Sequence, residues 1–213
     1  MNLPTKITFT RIIATFFLMV TLFVLSLIDF NAPTLGNTKI NLVFLIVFIF
    51  FVLASYTDHL DGYLARKNNQ VTNLGKFLDP VADKMLINSM VVFLVAPSIF
   101  APYATEQHID FNIWCAILLI VRDIVVDALR FIAAQKKVVI AANIYGKLKT
   151  VLEMVAISLV LLNDFPSNYF DMDWAKGCRV TDIVVYIATF VSVLSGIIYV
   201  WQNRKVFLEG DNK

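Results

Sequence analysis

The chain lacks most of what holds soluble and secreted domains together. Its two cysteines, Cys115 and Cys178, form neither a disulfide framework nor a metal-binding spacing. Both lie in or beside apolar stretches and read as small buried hydrophobes. Histidine is as scarce: His59 and His108 are expected to supply no metal ligand. Seven glycines and six prolines form no linker and no low-complexity tract. With no internal repeat either, residues 1–213 are read as one domain. Charge is sparse. Hydrophobic residues make up 59% of the chain and mean hydropathy is +0.74, too apolar for a soluble domain. The net charge of +2 says little about partners by itself, and no nucleic-acid partner is expected. The start, MNLPTKITFTRIIATFF, has neither the basic-then-apolar order nor the cleavage site of a removable signal peptide, and is expected to be retained.

What is present is a series of apolar runs. A spanning helix needs about 20 mostly apolar residues, and six segments qualify: roughly 9–28, 40–64, 80–100, 111–135, 145–162 and 180–201. Backbone in lipid must satisfy its own hydrogen bonds. The expected fold is therefore all-α and integral to the membrane, a six-transmembrane-helix bundle. Residues 1–8 mix Asn2, Pro4, Thr5, Lys6 and Thr8 with Leu3 and Ile7. They read either as a short N-terminal interfacial segment ahead of the first span or as a frayed polar terminus; the expected fold takes the first. Lys and Arg gather on one set of helix ends, from Lys6 and Arg11 through Arg66, Lys67, Lys136 and Lys137 to Arg204 and Lys205. The opposite ends hold Lys39, Lys176 and Arg179 amid acidic residues. The basic side, with both termini, is expected to be cytoplasmic in a multi-pass protein of the cell membrane. Tyr169, Trp174 and Trp201 fall near the expected interfaces, where aromatic belts form.

One polar stretch breaks this pattern: DHLDGYLARKNNQVTNLGKFLDPVADK, residues 58–84. Four aspartates occupy it, Asp58, Asp61, Asp79 and Asp83. Carboxylates at the centre of a lipid-spanning helix cost about 2.5–3.5 kcal/mol each, so they are retained for function. On one helix Asp58, Asp61, Gly62 and Ala65 share a face; on the next, Gly75, Asp79 and Asp83 do. Two helices joined by a short loop can point all four carboxylates at one place, where cations must offset the repulsion. Oxygen-only ligation favours a hard ion such as Mg²⁺, Mn²⁺ or Ca²⁺, and two such ions would balance four carboxylates. A plainer reading is available for single members. Asp79-Pro80 has the form of a helix cap before a proline at the first helical position.

The pattern D-x-x-D-G-x-x-A-R, eight residues, then G-x-x-x-D-x-x-x-D resembles the signature of the CDP-alcohol phosphotransferases. Asp58, Asp61, Gly62, Ala65, Arg66, Gly75, Asp79 and Asp83 fill its fixed positions. The resemblance implies a six-helix membrane fold, usually homodimeric, with a polar cavity open to the cytoplasm. It implies transfer of a phosphatidyl-type group from a CDP-linked donor such as CDP-diacylglycerol to an alcohol, with release of CMP. Asp58, Asp61, Asp79 and Asp83 would hold two divalent cations, Mg²⁺ or Mn²⁺, and Asp83 would be the general base. Asp61, Gly62, Ala65, Arg66 and Gly75 would receive the CDP part. Thr8 and Arg11, at the start of the first span, are read as further CDP contacts, although Arg11 also has the form of a residue snorkelling to lipid phosphates.

A second group of charges lies in VRDIVVDALRF and YGKLKTVLE. Arg122, Asp123, Asp127 and Arg130 span less than half the circumference of one helix; Lys147, Lys149 and Glu153 open the next. Asp127 with Arg130 and Lys149 with Glu153 have ion-pair spacing, so these charges can support one another. Read functionally, Arg122, Arg130, Lys147 and Lys149 form a cationic pocket for an anionic acceptor. The two segments are similar to those of family members whose acceptor is glycerol 3-phosphate, with Asp123 in place of a more usual Glu. Inositol phosphate would also need such cations. An intramembrane prenyltransferase also uses aspartates and Mg²⁺, but without the D-G-x-x-A-R continuation. An ion carrier would need neither the glycines nor the cations.

Overall fold

The computed structural model describes residues 2–28, 33, 35, 40–67, 72–95, 109–136, 144–166 and 177–204. Six helices carry these residues: α1 (Leu3–Leu27), α2 (Leu42–Lys67), α3 (Asn73–Val95), α4 (Ile113–Gln135), α5 (Ile144–Leu161) and α6 (Val180–Gln202). Three of them, α1, α2 and α6, contain stretches long and apolar enough to cross a membrane. The charged residues discussed below lower the apolarity of α3, α4 and α5. The chain forms two compact units, residues 1–110 with 158–173, and residues 111–157 with 174–213.

In the first unit α1 packs against both α2 and α3. Phe44, Val47 and Phe51 form a buried stripe on α2, and Ala82, Leu86, Met90 and Leu94 form one on α3, each at helical spacing. The Phe44 and Phe93 rings meet at 5.4 Å. Outward, α1 exposes Phe9, Phe16, Phe17 and Phe23. An apolar face of this extent suits lipid, since water-facing monomer surfaces seldom carry one.

Helix starts follow short polar signals. The Asn41 side chain accepts the Val43 N–H at 2.8 Å, Thr72 Oγ1 accepts the Gly75 N–H at 3.0 Å, and Asn112 accepts from Trp114 and Cys115. Each satisfies a backbone donor that the first turn leaves open.

Three expectations change here. Residues 3–8 are not a separate interfacial segment: they form the first turns of α1. Pro4 favours a helix start, and Thr5 and Thr8 are buried. Pro80 does not open a helix and Asp79 does not cap one, because Thr72 starts α3 earlier and Pro80 lies inside it. Cys115 is buried as expected, but Cys178 is exposed, since it precedes the first turn of α6. Tyr169, Trp174 and residues 96–100 of the third expected span lie outside the described residues; Trp201 is exposed near the end of α6.

The second unit pairs α4 with α6. Cys115, Leu119, Asp123, Val126 and Ala133 make the buried stripe of α4, so Asp123 occupies a core position. Thr181, Val185, Ala188, Ser192, Ser195 and Tyr199 make that of α6, mostly small residues that permit close helix approach. On α5 the buried positions include Lys149 and Glu153. Charge is thus built into the packed faces of two helices.

Candidate active site

In the first unit, three helices meet at one hydroxyl. Thr8 Oγ1 of α1 donates to Asp61 Oδ2 of α2 at 2.9 Å and lies 3.0 Å from Asp79 Oδ1 of α3. It also stands 3.2 Å from the Pro4 carbonyl. A threonine hydroxyl has one hydrogen, so it cannot satisfy both carboxylates at once. Two anionic oxygens converging on one donor concentrate negative charge in a buried place: Asp61 is 3% exposed. Such an oxygen set suits a hard divalent cation. Asp58 turns instead to Arg11, with which it forms an ion pair; Arg11 is buried. Asp83 sits one turn beyond Asp79 on α3, half-buried, and engages neighbours of its own.

The sequence places four carboxylates at one point. The structure brings Asp61 and Asp79 together and directs Asp58 to Arg11. Among the described residues, no three acidic, histidine or cysteine side chains gather in a metal-binding group. Thr8 touches the carboxylates directly. Gly62 lies in α2, partly exposed, and the helix continues through Ala65 and Arg66, whose side chains fall outside the described residues, as does that of His59. A Cβ on Gly75 would sit 3.1 Å from Thr72 Oγ1 and 3.5 Å from Thr5 Oγ1, and these two hydroxyls are themselves 3.1 Å apart. Gly75 therefore leaves room for the capping hydroxyl of Thr72, while Thr5 of α1 stands at ordinary contact distance. Beside the site, a groove of about 410 Å³ runs between α1 and α2. Lys6, Thr10, Arg11 and Thr57 line it together with Ala14, Phe50, Leu53 and Ala54, a lining that combines cations with apolar side chains.

The second unit holds a buried charge network. Arg122 Nε donates to the Ser192 carbonyl at 3.1 Å, Nη1 to Asp123 Oδ1 at 3.0 Å and Nη2 to Ser195 Oγ at 2.8 Å. Lys149 Nζ donates to both Asp123 oxygens at 2.9 Å and pairs with Glu153 Oε2 at 2.6 Å. Arg130 is exposed, 3.9 Å from Asp127, and stacks over the Tyr199 ring at 5.5 Å. Lys147 is exposed on α5. Of the four cations singled out in the sequence, Arg122 and Lys149 are thus joined through one carboxylate, and both ion pairs suggested by helical spacing form.

Residues not singled out in the sequence hold Arg122 in place. Ser192, Ser195 and Gly196 form its socket on α6, and the S-x-x-S-G spacing was the available signal. A Cβ on Gly196 would meet Arg122 Cγ at 3.0 Å and Nε at 3.3 Å. Gly196→Ala is expected to destabilise the protein by about 1–3 kcal/mol through overpacking. Gly146→Ala, where nothing lies within 4 Å, should be neutral or gain up to roughly 1 kcal/mol of helix preference. Thermal unfolding of the two variants in the same detergent compares them; equal melting temperatures would show that Arg122 does not need the space.

Residues 1–194 match the CDP-alcohol phosphatidyltransferase family. The chain belongs to that family. A curated member from Bacillus subtilis (strain 168), a CDP-diacylglycerol–glycerol-3-phosphate 3-phosphatidyltransferase, is 37% identical over 202 residues, 95% of each chain. A protein of the same name from Rickettsia bellii is 32% identical over 206 residues, 97% of each chain. One from Mycoplasma pneumoniae is 37% identical over 180 residues, 80% of this chain and 73% of its own. Both charged groups described above lie inside the region that matches the family.

Proposed function

We propose that the chain transfers the phosphatidyl group of CDP-diacylglycerol to glycerol 3-phosphate, giving phosphatidylglycerophosphate and CMP. The observation that carries this reading is the convergence of Asp61 and Asp79 on Thr8, beside a groove lined by Lys6, Arg11 and apolar side chains. Kinship with proteins named for this reaction supports the choice of donor and acceptor.

In this reading Asp61 and Asp79, with Asp58 and Asp83, would hold two divalent cations, Mg²⁺ or Mn²⁺. Such cations, when bound, would supply positive charge to offset that of the donor's phosphates. The chain's own groups position and exchange protons. The groove between α1 and α2 takes the acyl part, with Lys6 and Arg11 at the phosphates. Gly62, Ala65, Arg66 and Gly75 belong to the CDP side. The acceptor hydroxyl oxygen bonds to the phosphorus of the phosphatidyl group, its proton passes to Asp83, and the P–O bond to CMP breaks. Arg122, Arg130, Lys147 and Lys149 receive the acceptor phosphate. The same reading includes a single membrane domain over residues 1–213 with six spans, its aspartates and both termini cytoplasmic, assembled as a homodimer in the cell membrane.

An acceptor panel tests it. With CDP-diacylglycerol and Mg²⁺ in detergent, CMP release is expected with glycerol 3-phosphate and at most weakly with glycerol, serine or inositol phosphate. Preference for inositol phosphate would overturn the acceptor and keep the donor. No CMP release with any alcohol would remove the reaction.

A further inference from the structure

Lys149 is enclosed by acids. Three carboxylate oxygens surround Nζ: both of Asp123 accept hydrogen bonds from it at 2.9 Å, and Oε2 of Glu153 forms an ion pair with it at 2.6 Å. Lys149, Asp123 and Glu153 are each no more than 3% exposed. With Arg122 the group comprises two cations and two anions, so it presents no net charge to an arriving ligand. Because Lys149 is buried among these oxygens, a phosphate oxygen reaches Nζ by taking the place of one of them. Asp123 grips it with two oxygens and also takes Arg122 Nη1; Glu153 grips it with one. Arg122 uses three of its five N–H groups in the contacts with Ser192, Asp123 and Ser195, which leaves two.

We propose that the two acids have opposite duties. Asp123 is a positioning residue that holds Lys149 and Arg122 side by side, although like charges repel. Glu153 is a resident stand-in for the ligand: its carboxylate occupies beside Lys149 the place that an acceptor phosphate oxygen takes, and it gives up that ion pair when the phosphate arrives. The two remaining N–H groups of Arg122 then complete a two-cation grip. This rests on the proposal that these cations receive the acceptor phosphate, and it adds a competitor inside the protein that sets how tightly the acceptor is held.

Neutralising either acid changes the charge by the same amount, so electrostatics alone predicts the same direction of effect for both. The exchange predicts opposite directions. In the full-length protein with CDP-diacylglycerol and Mg²⁺, Glu153→Gln is expected to lower the KM for glycerol 3-phosphate roughly three- to tenfold, because a competing ion pair on Lys149 is removed. Asp123→Asn is expected to raise it about tenfold or more, and Asp123→Glu should restore most of the loss. The KM for CDP-diacylglycerol should stay unchanged in all three. Glu153→Asp keeps the charge but shortens the reach, so it should also lower the KM for glycerol 3-phosphate, and it protects the test against a Gln variant that does not fold. A shift of both neutralised variants in one direction, or a loss of melting temperature with no change in either KM, would overturn the exchange. If the wild type released no CMP with glycerol 3-phosphate, the proposed acceptor would fail first, and that outcome is distinct from a wild type that uses it while Glu153→Gln and Glu153→Asp leave its KM unaltered.

Discussion

Asp61→Asn and Asp79→Asn are each expected to lower turnover by roughly 10²–10³-fold, the range found when one preorganised electrostatic group is removed from an active site. Asn preserves shape and still accepts a hydrogen bond from Thr8, so α1 should stay docked. What is lost is the negative charge that a divalent cation needs. The effect should appear in kcat and kcat/KM together, as for a group that acts in the transition state. Asp83→Asn is expected to fall as steeply while sparing donor binding, because its proposed part is to accept the acceptor's proton. Asp58→Asn has a further consequence: it leaves the buried Arg11 guanidinium without its ion-pair partner, so a loss of stability should accompany the loss of rate. CMP release at saturating substrates, with gel filtration and circular dichroism to establish folding, measures all four. Near-normal turnover in a folded Asp61→Asn or Asp79→Asn protein would take that residue out of the mechanism.

Chelation should be nearly as damaging. Exhaustive treatment with EDTA is expected to lower turnover on the order of 10³-fold, since a metal acting on phosphoryl oxygens supplies several kcal/mol. Mg²⁺ or Mn²⁺ should restore activity, and Zn²⁺ should do so poorly. The reason is the donor set: Asp61 and Asp79 present oxygen. Hard ions prefer such a set, whereas zinc favours nitrogen and sulfur. Metal titration of the apoprotein followed by calorimetry separates binding from rate. Full activity after chelation would exclude the metal from the reaction.

The helices were legible in the sequence because apolar runs and helical periodicity are strong signals, and the six helix positions follow the expected segments closely. The exceptions have local causes. Thr72 starts α3 well before the apolar run because one side-chain oxygen satisfies the Gly75 N–H; a single polar residue carries that information, whereas hydropathy averages over many. Residues 3–8 looked polar enough to lie in an interface, yet Thr5 and Thr8 are buried against α3 and the carboxylates. Periodicity correctly put Asp61 and Asp79 on faces that can meet. It did not give Thr8 as the atom where they converge, since that contact joins residues 53 and 71 positions apart. Likewise the spacing of Lys149 and Glu153 gave the ion pair, while Asp123 as the link between Lys149 and Arg122 required the packing of different helices.

The pairing of charges within single helices has a consequence for how the chain is made. With the six-span topology proposed above, α4 and α5 must leave the aqueous phase carrying arginines, lysines and acids. On α4, Arg122 is beside Asp123 and Arg130 one turn from Asp127; on α5, Lys149 is one turn from Glu153. Each newly synthesised segment therefore brings its own counter-ions and can partition into lipid before its neighbour emerges. The bonds from Lys149 to Asp123 join the two segments afterwards. A segment robbed of one internal partner would be delayed at the translocation step, before any catalytic defect could be expressed, so the accumulated amount of such a variant in the membrane reports on biogenesis separately from chemistry.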